Sequence, residues 1–454
     1  MNSSYISDKY AKQVTVTKTS VATESASHTI FGLRYGSDEL SISVPTERFQ
    51  IITSQTESQT LSDVEIGEKL DAPIMSEALE DIVRVEDKVL LVVPDGTRST
   101  GAGQIVNLIV RRLIANGTTP DKISILVANG IHRRMSDDEL SALLTPFIVQ
   151  RLNIFQHEAR DLMSVAGLES AKIKSFGETA DGLPIELNSK ITECDKLIAV
   201  GGVTFHYFAG FTGGRKLICP GLASEKTIEA THKLAFDCET FDRRSGVGAG
   251  LLGGNLVHEA FIEAVSVRPP DFTVNSIVNE AGEIVDLVCG HWIAAHEEAC
   301  LRYAASHTVT VEERRELIIV SCGGFPHDIN MIQAHKAIET AAAVCEDGGQ
   351  IILLAECRDG FGRADFLKWF DYPSPQALAQ TLCSNYEVNG QTAWSLFEKT
   401  RRFNVSALCS IGESELQRVG ITKLVDEGAV SEIIRRANSG YVLPSGAKVR
   451  VVCR

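Results

Sequence analysis

The chain has 454 residues, 44% apolar and 23% charged, the composition of a globular protein large enough for two or more domains with sizeable cores. A formal net charge of −15 argues against nucleic acid as a general partner, because no surplus of Lys and Arg is present to displace counterions from phosphates. There is no apolar run long enough to span a bilayer, no secretory signal, and no CxxC pair among the eleven cysteines, so a cytoplasmic protein with reduced, mostly buried thiols and no membrane association is expected.

Residues 1–27, rich in Ser, Thr and Lys without a hydrophobic period, are expected to be a flexible tail. Strand and helix patterns then alternate. Glu39–Val44 and Phe49–Ile52 are early strands separated by Pro45, and Ile66–Ile82 carries helix signals split at Pro73. Lys88–Val93 is a buried strand followed at once by Asp95, Gly96, Thr97 and Arg98, and Gln104–Asn116 is an amphipathic helix closed by Gly117. Ile123–Ala128 is the next strand, with His132 in the turn at its carboxyl end, and Ser136–Leu144 opens as a helix with acidic residues in its first turn.

The block 197–236 is the richest in chemistry. An apolar strand, Leu197–Val200, ends in two glycines; His206, the turn Gly213-Gly214-Arg215-Lys216 and the break Pro220-Gly221 follow; Ser224 then caps a helix that carries His232. A Gly-rich stretch, 246–254, leads to a helix over Leu256–Val267 and strands over Phe272–Val278 and Glu283–Leu287. The charged run Glu312–Glu316 is the candidate linker to a second unit. That unit contains a strand at Leu317–Val320, a helix at Gln333–Val344, a strand at Gln350–Ala355, helices at Gly360–Phe370 and Pro375–Leu382, a strand at Val405–Ser410, a helix ending over Ile433–Asn438 and a final strand at Lys448–Cys453. Repeated β-loop-α patterns predict an α/β protein with mixed or parallel sheets.

The spacing from His206 to Lys216 to His232, with the GGRK and PG signatures, resembles the core of the nickel-dependent lactate racemase family. The resemblance covers the chain from about residue 40 to the C-terminus. It implies two α/β domains: a cofactor-binding domain over 28–311 rejoined by 441–454, and a substrate-binding domain over 312–440, with the active site in a cleft between them. It implies a nickel pincer nucleotide, a doubly thiocarboxylated pyridinium mononucleotide, attached through Lys216 and ligated at its metal by His232. His132 and His206 become the acid/base pair. Asp95, Gly96, Thr97 and Arg98 hold the nucleotide, and Arg98, Gln333 and Lys336 bind the substrate carboxylate. Gln333 and Lys336 are three residues apart, so they share a helix face. Proteins that insert nickel and transfer sulfur during cofactor synthesis are the implied transient partners.

Inverting a 2-hydroxy acid by proton removal would place carbanion charge beside a carboxylate. Hydride removal avoids that state, since the product is a ketone, and the implied mechanism is reversible hydride transfer from the substrate α-carbon to the cofactor. Histidine, whose ordinary pKa lies near neutrality, suits the hydroxyl proton. The alternative is a non-catalytic protein that binds or delivers the cofactor. It would keep Lys216 and His232 and could lose the acid/base pair, yet both His132 and His206 are present. A nicotinamide dehydrogenase is disfavoured because no GxGxxG follows an early strand. Phe208, Ile332 and Trp394 are candidate pocket walls, and His327 with Asp328 lacks the other members of a metal site.

Overall fold

The computed structural model describes residues 28–54, 59–160 and 173–454, so the expected tail over 1–27 lies outside the described residues. Two compact units result: Thr56–Ala235 with Arg244–Tyr303, and Met1–Gln55 with Phe236–Arg243 and Ala304–Arg454.

The first unit is built on a six-stranded sheet. Across it stand Asn153–Gln156, Ile123–Ala128, Val89–Pro94, Lys196–Gly202, Phe272–Val278 and Ile284–Gly290. All neighbours pair in parallel except the last two, which are antiparallel. Every residue of Val89–Pro94 is buried, as an unbroken apolar run covered on both faces requires. Helix Ala102–Ala115 buries Ile105, Val106, Ile109, Val110 and Leu113 on one stripe. Chain order reverses between Val89–Pro94 and Lys196–Gly202, which are adjacent strands. At such a reversal the connections leave the carboxyl ends in opposite directions and open a crevice. The loops that carry Asp95 and His206 start there.

The second unit holds a parallel sheet with Ile421–Leu424, Asn404–Leu408, Cys345–Leu354, Arg315–Ser321, Gly440–Leu443 and Phe49–Ile51 in that order. Helix Met331–Ala342 follows Arg315–Ser321 and buries Ala334, Ala337, Ile338 and Ala341.

The partition differs from the expected one. Phe49–Ile51 pairs with Gly440–Leu443, and the hairpin of His28–Tyr35 with Asp38–Pro45 puts Leu33, Ile42 and Val44 into the same core. Arg450–Cys453 pairs with Thr308–Val311 and stays in the second unit rather than rejoining the first. The division falls at Tyr303/Ala304, inside helix Ala294–His307, and Arg315 already belongs to a strand. Edge pairing is made through backbone groups, so sequence pattern does not name the partner.

The expected helix over 360–370 is reduced to a 3₁₀ segment, Phe366–Asp371, while helix Gly390–Arg402 had no forecast. Cys238 and Cys383 form a disulfide, against the expectation that all the thiols are reduced; the other nine cysteines are free. Trp394 is 3% exposed and packs against Phe236. Among the described residues no helix is long and apolar enough to cross a membrane.

Candidate functional site

Beyond strand Lys196–Gly202 the chain forms a hairpin in which Phe205 pairs with Phe211 and His206 with Gly210. The 3₁₀ turn Gly214–Leu217 presents Lys216. Helix Glu225–Lys233 follows, its N-terminus capped by the Ser224 hydroxyl, which accepts from the Thr227 N–H at 3.1 Å. His232 sits in its last turn.

Phe208 gathers the three residues picked out by their spacing. Its ring centroid lies 4.4 Å from that of His206 and 4.9 Å from that of His232, and Lys216 Nζ stands 5.6 Å from it. Phe261, on helix Leu256–Ser266, closes the group: Lys216 Nζ is 5.8 Å from its ring and the His232 ring 5.7 Å. Burial, and then the Lys216 charge, push the His232 pKa down to about 3, partly offset by a hydrogen bond to the Ile228 carbonyl. The imidazole is therefore neutral at ordinary pH and retains a lone pair for a metal.

The His132 loop is tied to this block through backbone bonds. Gly221 N–H donates to the Lys216 carbonyl at 3.0 Å, and Gly130 N–H to the Gly221 carbonyl at 2.9 Å. His132 Nδ1 is 2.6 Å from Asp95 Oδ2, and its side chain is 43% exposed. Asp95 is 5% exposed. Burial alone would raise its pKa, but hydrogen bonds from His132 and Thr97 and the charge of Arg98 bring it below the usual carboxylate range. An ionised carboxylate only accepts, so His132 Nδ1–H is the donor, and in the neutral ring the lone pair then falls on Nε2.

The Asp95–Arg98 turn is organised around that carboxylate. Thr97 donates to Asp95 Oδ1 from its N–H at 3.1 Å and its hydroxyl at 2.5 Å. The helix begins only at Ala102, after Gly101, so the N–H groups at its start are not those of 96–98. Gly96 and Thr97 are exposed and Arg98 is half-buried. The orienting role of Asp95 had no sequence signal, because its partner is 37 residues away on the neighbouring strand's loop. Phe261 likewise reads in sequence as one more apolar residue of an amphipathic helix.

Gln333 and Lys336 lie in the second unit. The Asn330 side chain caps their helix by accepting from Gln333 N–H at 3.0 Å. Lys336 Nζ donates to Gln333 Oε1 at 2.6 Å, so the two do share a face. One turn on, Glu339, its side chain 12% exposed, pairs with Arg243 at 2.8 Å and Lys399 at 3.5 Å. Asp328 Oδ2 accepts from Gly36 N–H at 2.6 Å and Glu356 N–H at 3.1 Å, a structural tie rather than a metal ligand.

Among the described residues no group of three or more His, Cys, Asp or Glu is arranged to hold a metal ion. A metal at His232 would thus draw its other donors from a bound group. The neutral imidazole, an amine beside it and two aromatic walls fit a flat, metal-bearing cofactor attached at Lys216.

Residues 35–242 match the lactate racemase N-terminal domain and residues 311–395 the lactate racemase C-terminal domain. The lactate racemase of Thermoanaerobacterium thermosaccharolyticum is 30% identical over 355 residues, 77% of this chain and 80% of that one. That of Lactiplantibacillus plantarum is 33% identical over 308 residues, 67% of this chain and 69% of that one. The structure of the T. thermosaccharolyticum lactate racemase apoprotein superposes with a TM-score of 0.82 at 27% identity, covering 93% of this chain and 99% of that one. A Thermotoga maritima protein shares the fold at a TM-score of 0.65 and 20% identity, over 88% of this chain and 100% of that one. With both domains matched in order and the relatives aligned over most of their length, this chain belongs to the lactate racemase family.

Proposed function

We propose that the chain is a racemase or epimerase of a lactate-like 2-hydroxy acid, working with a nickel pincer nucleotide attached through Lys216 and ligated by His232. The observation that carries this reading is the convergence of His206, Lys216 and His232 on Phe208, with the Asp95–His132 pair on the adjoining loop. The bound group supplies a carbon centre able to take a hydride from the α-carbon and return it.

The chain's own residues handle protons and orientation. His132 Nε2 accepts the hydroxyl proton, and Asp95 holds Nδ1–H and stabilises the imidazolium that forms. His206 meets the oxygen once the ketoacid has turned. Lys336 and Gln333, already paired, and Arg98 hold the carboxylate during that turn, an orientation effect. Phe208 and Phe261 keep water from the reacting centre. The presence of an oriented proton-handling pair favours an enzyme over a delivery protein.

The test is to supply one enantiomer in D₂O and follow deuterium at C2 of both enantiomers by NMR. Retained α-hydrogen with a trace of ketoacid on quenching supports hydride transfer. Full deuterium incorporation would show that the histidines exchange the α-hydrogen as a proton, and would overturn this mechanism.

A further inference from the structure

Arg215 is 1% exposed and has no part in the mechanism above. Its Nη2 donates to the Ala209 carbonyl at 2.7 Å, and Nη1 to the Phe211 carbonyl at 2.9 Å, with His296 Nε2 at 3.1 Å. Among the described residues no carboxylate pairs with it, and Nε has no hydrogen-bond partner. Burial pulls its pKa down to about 10, which still leaves it charged at neutral pH. Burial and Arg215 hold His296 well below its usual pKa, so that ring is neutral; its Nε2–H donates to the Thr212 carbonyl at 2.9 Å, and the carbonyls are therefore what the guanidinium donates to. A buried cation whose acceptors are all neutral is expensive, and an unbranched apolar side chain would fill the same space. What the guanidinium donates to is therefore the informative part.

It grips the peptide carbonyls on either side of Gly210, the register partner of His206. Gly210 has φ +78°, and a Cβ there would fall 2.1 Å from the Leu251 carbonyl oxygen, so the turn admits no side chain. Gly214, with φ +49°, lets the next turn close on His296, where a Cβ would meet the ring at 2.5 Å. The N–H of the same residue, Ala209, which lies in the preceding peptide, donates to His206 Nδ1 at 3.2 Å. A ring nitrogen that accepts is unprotonated, so neutral His206 carries its hydrogen on Nε2. His132 is set the opposite way, because Asp95 takes its Nδ1–H.

We propose that Arg215 is a positioning residue that fixes the ring orientation and tautomer of His206 through Ala209, whose carbonyl it holds and whose N–H meets the ring. The two histidines then begin the reaction as one acceptor and one donor. This rests on the reading of His132 and His206 as the proton-handling pair.

The experiment is ¹⁵N NMR of the full-length protein labelled at histidine, with His206 assigned from the signal lost in His206→Gln. Wild type should show His206 with Nε2 protonated and Nδ1 bare. Arg215→Met should lose that signature and lower kcat by about 10²-fold, with KM within about threefold. Arg215→Lys, which keeps the charge but only a single-headed donor, should recover about tenfold of the kcat lost in Arg215→Met and part of the signature. A protonated Nδ1 in wild type overturns the proposal, as does an Arg215→Met protein with the wild-type signature and kcat. If Arg215→Met does not fold, the wild-type spectrum and Arg215→Lys decide. Should the signature and its dependence on Arg215 hold while no 2-hydroxy acid is racemised, the positioning role stands and the proposed function falls.

Discussion

Replacing Asp95 by Asn keeps the shape of the side chain and removes its charge. The Asn carbonyl can still accept from Thr97, which now donates to Asp95 Oδ1 at 3.1 and 2.5 Å, so the turn should survive. The change falls on Oδ2, 2.6 Å from His132 Nδ1, at a residue only 5% exposed and therefore little screened by solvent. A hydrogen bond to a charged group is worth about 1.5–3 kcal/mol. If all of it stabilises the imidazolium formed as His132 takes a proton, its loss slows that step about 10- to 150-fold, at 1.36 kcal/mol per tenfold. The amide also offers an N–H where the carboxylate offered an acceptor, which favours the His132 tautomer with Nε2 protonated and adds to the loss. The expected result is a kcat lower by about 10²-fold or more for both enantiomers, with the attached cofactor mass unchanged. Chiral chromatography of timed samples gives the rate, and intact mass spectrometry gives the cofactor. A kcat within about threefold of wild type would refute the role given to Asp95. Loss of the cofactor mass in place of turnover would refute it too, and would return Asp95 to the nucleotide.

Further outcomes follow from the other named residues. Lys216→Ala should abolish the added mass in protein made in cells that synthesise the cofactor, whereas His232→Ala should keep the mass and lose nickel, measured by metal analysis. Lys336→Ala, which removes the donor 2.6 Å from Gln333 Oε1, should weaken substrate binding or turnover and leave the cofactor attached, read from steady-state kinetics with intact mass. Glu339→Gln takes from Arg243 the carboxylate 2.8 Å away, while Lys399 keeps Glu398, and should destabilise the protein by about 1.5–3 kcal/mol, read from denaturant unfolding. Burial alone would raise the Glu339 pKa, but Arg243, Lys399 and His335 hold it at about 2 against 4.5 for the free side chain. Its stabilisation is therefore complete above pH 4.5 and lost as pH falls through about 2, a dependence that Glu339→Gln should remove.

The parts of the fold legible in the sequence were those fixed within one stretch of chain. Val89–Pro94 and Lys196–Gly202 are covered on both faces and read as apolar runs; helix Glu225–Lys233 announces itself through Ser224; helix Ala102–Ala115 shows its buried stripe. Strand His28–Tyr35 was not anticipated, because Leu33 is its only buried residue in a run of exposed and half-buried positions. The segment 360–370 has helical composition but three positive-φ or turn-forming positions near Cys357, Gly360 and Gly362, which spoil the register before Phe366. The disulfide joins residues 145 apart, and neither Cys238 nor Cys383 sits in a motif that marks it.

The site divides along the same line. His206, Lys216 and His232 meet because hairpin, 3₁₀ turn and helix follow one another directly, so their spacing in sequence already encodes their spacing in space. The residues that set their proton states do not share that property. Asp95 reaches His132 only because Val89–Pro94 and Ile123–Ala128 are neighbours in register, Pro94 beside Ala128, which brings the two following loops side by side. Ala209 reaches His206 within three residues, but through a peptide N–H, a group every residue but proline has and no sequence pattern can single out. Spacing can thus name the histidines, while the choice between a ring that accepts and one that donates is made by a carboxylate on another strand's loop and by the N–H of Ala209, a residue held at its carbonyl by Arg215.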